Sequence, residues 1–132
     1  MPGFIDLQIN GAYGIDVMSA TPEELLEISR RLPIEGTTAW LPTVITAPFE
    51  RIERAARAID EAMAEQCERR RAITAGSRTE CEAAILGIHL EGPFISARRG
   101  SPSSSESYAS GRTVTTSHGA ENVKAGYDRA RA

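Results

Sequence analysis

An uninterrupted apolar run that ends in a carboxylate leaves few folds open to this chain: Ile85, Leu86, Ile88 and Leu90 lead into Glu91, Gly92 and Pro93. A run without polar alternation fits a parallel strand covered on both faces, and the Gly-Pro pair stops it. His89 and Glu91 are two residues apart, so on a strand they point the same way. A charged group at the carboxyl end of a parallel strand lies where α/β sheets and barrels place their active sites. From this stretch alone, a capped strand end with a solvated glutamate reads equally well.

A second stretch favours a site. Pro2-Gly3-Phe4-Ile5-Asp6-Leu7-Gln8-Ile9-Asn10-Gly11 is another apolar strand, ending in side-chain amides with Gln8 and Asn10 on one face. Two strands that each present a polar pair at the end point to one shared site.

Between these strands the pattern alternates. Gly11-Ala12-Tyr13-Gly14 reads as a flexible loop. Thr21-Pro22-Glu23-Glu24 opens a helix with a capping threonine, a proline at the first helical position and a glutamate three residues after the cap. Leu25, Ile28 and Leu32 follow at helical spacing as a core stripe, and Pro33 with Gly36 ends the element. Residues 37 to 43 are β-branched and aromatic, which predicts a second strand stopped by Pro42. Thr46 and Pro48 start a second helix with Ile52, Ala55, Ala56, Ile59, Met63 and Cys67 at intervals of three and four. Residues 68 to 82 are polar and aperiodic, as in a loop, with Arg69 to Arg71 a solvated helix end rather than a binding patch. The order β-α-β-α-β predicts a parallel sheet with right-handed crossovers.

At 132 residues the chain is far short of a complete eight-fold barrel, which takes about 250. Net charge of −3 and a pI near 5.4 give no support for nucleic acid or an anionic membrane as partner. The first twenty residues lack a basic start followed by an apolar core, and no apolar run approaches transmembrane length, so a cytoplasmic protein is expected. Cys67 and Cys81 are expected to be free thiols. From residue 97 to 132 there is no Ile, Leu, Met, Phe or Trp, while Ser and Thr abound. Such a tail cannot bury enough apolar surface to offset its ordering entropy, and disorder is expected. The expected division is therefore residues 1–96 as an α/β unit and 97–132 as a low-complexity tail. His118, in that tail, reads as an incidental exposed residue.

Three stretches, PGFIDLQING at 2 to 11, GTTAWLPTVIT at 36 to 46 and LGIHLEGPF at 86 to 94, resemble the N-acetylglucosamine-6-phosphate deacetylase family of the amidohydrolase superfamily. Most amidohydrolases carry His-x-His on the first barrel strand; Gln8-x-Asn10 in that place is similar to the branch that binds a single metal. The resemblance covers roughly residues 2 to 100. It implies the first three strands and two helices of a (β/α)8 TIM-like barrel. After Arg98-Arg99-Gly100 the family pattern calls for Ala-His, where this chain has Ser101-Pro102. That change reads as a frameshift or a chimeric gene near position 100.

The resemblance implies hydrolysis of the acetamide of an amino-sugar phosphate to acetate and glucosamine 6-phosphate, with one divalent metal, zinc or similar. Glu91 matches the metal-ligating glutamate. Gln8 and Asn10 match positions that line the site, and His89 reads as a supporting or structural residue. The two ligand histidines and the catalytic aspartate of the family have no match here, so the chain as given is expected to be inactive, and a metal held by Glu91 alone would bind weakly. The parent enzyme is expected to be a homo-oligomer. Alternatives are a non-catalytic truncated or frameshifted product, and another amidohydrolase of dihydroorotase type, which the absent His-x-His disfavours.

Overall fold

The computed structural model describes residues 3–74, 81–92 and 114–116. Strand β1 (Phe4–Ile9) is followed by a hairpin of β2 (Gly11–Ala12) and β3 (Ile15–Asp16), helix α1 (Pro22–Arg31), strand β4 (Thr37–Ile45), helix α2 (Phe49–Thr74), strands β5 (Ala84–Ile85) and β6 (Ile88–Glu91), and β7 (Val114–Thr116). The sheet runs β1-β4-β6-β7, with β5 also on β4. Pairing of β4 with β1, β5 and β6 is parallel, as the alternating order predicts, and β7 is antiparallel to β6.

Helix α1 starts where its sequence says. Thr21 Oγ1 accepts from Glu24 N at 3.3 Å, and the Glu24 carboxylate accepts from Thr21 N at 2.8 Å, closing the capping box. The chain then tightens into a 3-10 turn, Leu32–Glu35, and leaves it through Gly36 at φ 86, whose carbonyl accepts from Phe4 N at 2.9 Å. Removing the cap with Thr21→Ala should cost about 1 kcal/mol, read as a lower urea midpoint with unchanged slope.

One apolar layer joins the helices to the sheet. Leu25, Leu26 and Ile28 of α1, and Ile52, Ala55, Ala56, Ile59 and Ala62 of α2, pack with Trp40, Val44, Ile85 and Ile88. Trp40 is fully buried, and its indole N–H donates to Ser29 Oγ of α1 at 3.0 Å. Gln66, also buried, takes the next place on the α2 stripe: its Nε2 donates to the Ala83 carbonyl at 2.9 Å and its Oε1 accepts from Ile85 N at 3.0 Å. One side-chain amide thus satisfies the backbone on either side of Ala84. Cys67, expected on that stripe, is exposed, and both cysteines are free thiols. On the edge strand β1, Phe4 and Leu7 are 75% and 60% exposed.

Several expectations need correction. Residues 11 to 14 form a tight hairpin, not a flexible loop: Tyr13 and Gly14 both have positive φ, 58 and 83, which suits a two-residue turn between twisted strands. Gly11 is required there, since a Cβ would lie 2.4 Å from the Ile15 carbonyl oxygen. Tyr13 is held in place by a 2.9 Å bond to Glu35 and by the Arg31 guanidinium 4.1 Å over its ring. Desolvation, then the bond to Glu35, pushes its phenol up from the usual range.

Pro42 does not end its strand. It lies where β4 passes from pairing β1 (Ile9↔Pro42) to pairing β6 (Thr43↔His89), beside an irregularity in the β1 ladder, so its missing N–H falls at a break in the bonding pattern. Helix α2 continues through Thr74, so residues 68 to 74 are helical rather than looped. Local ion pairs, Arg69 with Glu65 and Arg71 with Glu68, support a segment that has no apolar period to announce it. The strand foreseen at 85 to 90 divides at Leu86-Gly87, although Leu86 N still donates to the Trp40 carbonyl at 3.0 Å. Within the expected disordered tail, residues 114–116 form β7 against β6. The rest of 97–132 lies outside the described residues.

Candidate functional site

Parallel pairing brings the carboxyl ends of β1, β4 and β6 to one edge of the sheet. Glu91 is the last residue of β6 and is half-buried. Gln8, next to last on β1, reaches it: Nε2 lies 3.5 Å from Glu91 Oε2, at the long limit of a hydrogen bond. Two side chains 83 positions apart in sequence thus meet, as the paired strand ends predict. His89 sits two residues before Glu91 on the same face of β6, opposite Thr43 in the register. Asn10 lies one residue beyond β1 and is exposed. Its backbone carbonyl accepts from Val17 N at 3.0 Å, which fastens the hairpin.

Two threonines complete the neighbourhood, and neither was foreseen as part of it. Thr46 donates its hydroxyl to the Glu91 carbonyl at 2.9 Å. Thr43 is fully buried and its Oγ1 has no hydrogen-bond partner among the described residues. Threonine is ordinary in a strand, so no sequence signal sets these two apart; only the register does.

The arrangement offers one carboxylate, one side-chain amide and one imidazole near a strand end. A carboxylate suits a hard or borderline cation. Among the described residues, however, no group of three or more His, Cys, Asp or Glu could hold a metal ion. The described residues therefore do not form a metal centre by themselves, since catalytic zinc takes three protein ligands. Among them too, no helix is long and apolar enough to cross a membrane.

No family model matches the chain. N-acetylglucosamine-6-phosphate deacetylase of Bacillus subtilis is 41% identical over 99 residues, covering 75% of this chain and 22% of that protein. The Mus musculus enzyme of the same name is 37% identical over 98 residues, 72% of this chain and 20% of its own length. Among solved structures, N-acetylglucosamine-6-phosphate deacetylase from Thermotoga maritima superposes with a TM-score of 0.64 at 26% identity, covering 85% of this chain and 26% of that one. The chain spans about one fifth of the length of the curated relatives it matches. In sequence and in fold, then, most of this chain is homologous to a segment of the N-acetylglucosamine-6-phosphate deacetylases, which are hydrolytic enzymes.

Proposed function

We propose that this chain is the barrel-opening segment of an N-acetylglucosamine-6-phosphate deacetylase. In this reading β1, β4 and β5 with β6 are the first three strands of a (β/α)8 barrel, and α1 and α2 are its first two helices. The reaction is hydrolysis of the acetamide of the amino-sugar phosphate to acetate and glucosamine 6-phosphate. The observation that carries the proposal is Glu91 at the carboxyl end of a parallel strand, facing Gln8 at the end of its neighbour but one. Active sites of barrels lie at that end.

Glu91 is this segment's contribution to a divalent-metal site whose remaining ligands come from elsewhere in a longer cytoplasmic, homo-oligomeric enzyme. Gln8, Asn10 and His89 line the substrate side. In this reading the chain by itself is inactive, because a metal held by Glu91 alone would bind weakly; the second reading is a non-catalytic product of the same segment.

The test grafts residues 3–92 into the Bacillus subtilis enzyme in place of the matching segment. The chimera should release acetate from N-acetylglucosamine 6-phosphate. The purified 132-residue chain with added zinc should match a metal-only blank. A folded chimera without activity would contradict the proposal.

A further inference from the structure

The tip of β6 is held by a bond outside the sheet ladder. Thr46, the first residue after β4, donates its hydroxyl to the Glu91 carbonyl at 2.9 Å in a half-buried setting. Ile45 and Glu91 are register partners and the last such pair of β4 and β6, so Thr46 adds one rung beyond the end of backbone pairing. Gly92 follows at φ 93, a region open to glycine but strained for other residues, and the peptide leaving Glu91 has no side chain of its own to direct it. The other side of the bond is anchored. Ile45 N donates to Met18 Sδ at 3.3 Å, and the first turn of α2 begins with Arg51 and Ile52 bonding to the Pro48 carbonyl.

We propose that Thr46 is a positioning residue. Its hydroxyl fixes the Glu91-Gly92 peptide and so keeps the Glu91 carboxylate within reach of Gln8. The importance of that orientation rests on the function proposed above, but the orientation can be measured without it.

The experiment is solution NMR of the isotopically labelled 132-residue chain. In Thr46→Val, which keeps the shape and removes the donor, the Glu91 carbonyl carbon should shift upfield and the cross-peak between the Gln8 side-chain amide and the Glu91 side chain should be lost. Thr46→Ser should restore both. Valine retaining both signals while serine loses them would mean that packing, not the hydroxyl, is what matters, and would overturn the proposal. Should Thr46→Val fail to fold, the unmodified chain still decides: the Thr46 hydroxyl proton should be protected from exchange and show a cross-peak to Gly92, and a freely exchanging hydroxyl would overturn the inference. An inactive chimera alongside intact cross-peaks would count against the function and leave the positioning role standing.

Discussion

Trp40→Ala should abolish the cooperative unfolding transition of this chain. The indole is fully buried at the centre of β4, between α1 and the sheet, and its N–H is satisfied by Ser29 Oγ at 3.0 Å. Truncating a buried aromatic to alanine costs about 3–5 kcal/mol, and leaving the Ser29 hydroxyl without its donor adds about 1–3. Small domains are stable by only about 5–15 kcal/mol in total. This one exposes apolar residues along the edge strand β1, so it belongs at the low end. Trp40→Phe should fall between, since it keeps most of the volume and loses the bond. Ile34→Ala is the control, because that side chain is 86% exposed and its removal should change stability by less than about 0.5 kcal/mol. Trp40 is the chain's single tryptophan, so circular dichroism in urea rather than fluorescence is the measurement. Equal midpoints for Trp40→Ala and Ile34→Ala would show that the layer between helices and sheet does not hold the fold.

How much of this could be read in advance follows from what each signal depends on. The capping box at Thr21 and Glu24 is local chemistry, and it set the start of α1 correctly. Alternation of apolar strands with amphipathic stretches foretold the parallel sheet. The extension of α2 past Cys67 was hidden because its support is charge pairing and the buried Gln66, and the role of Gln66 exists only once Ala83 and Ile85 arrive beside it. Pro42 misled for a similar reason: whether a proline stops a strand depends on the ladder around it. That Glu91 and Gln8 would meet was legible from their places at strand ends. Asn10 was paired with Gln8 on a strict two-residue alternation, but the β1 ladder shifts between Asp6 and Ile9 and the strand ends at Ile9. Thr43 and Thr46 became visible only through register.

The largest functional effect is expected at Glu91. Within the grafted chimera, Glu91→Ala removes the carboxylate at the end of β6, and Gln8→Ala removes the amide 3.5 Å from it. On the proposed role of Glu91 as a metal ligand, its loss should empty the site, whereas loss of a group that only orients a ligand typically costs about 10- to 100-fold. The two substitutions should therefore separate in metal content as well as in rate: Glu91→Ala loses both, and Gln8→Ala keeps metal and loses part of the rate. Both positions are at a strand end rather than in the apolar layer, so neither should disturb the urea transition as Trp40→Ala is expected to.

Acetate release from N-acetylglucosamine 6-phosphate by the chimera, measured with and without Glu91→Ala, bears most directly on whether this strand end is catalytic machinery. The account predicts turnover by the unsubstituted chimera and a rate indistinguishable from the metal-only blank in Glu91→Ala. Equal acetate release by the two proteins would contradict it.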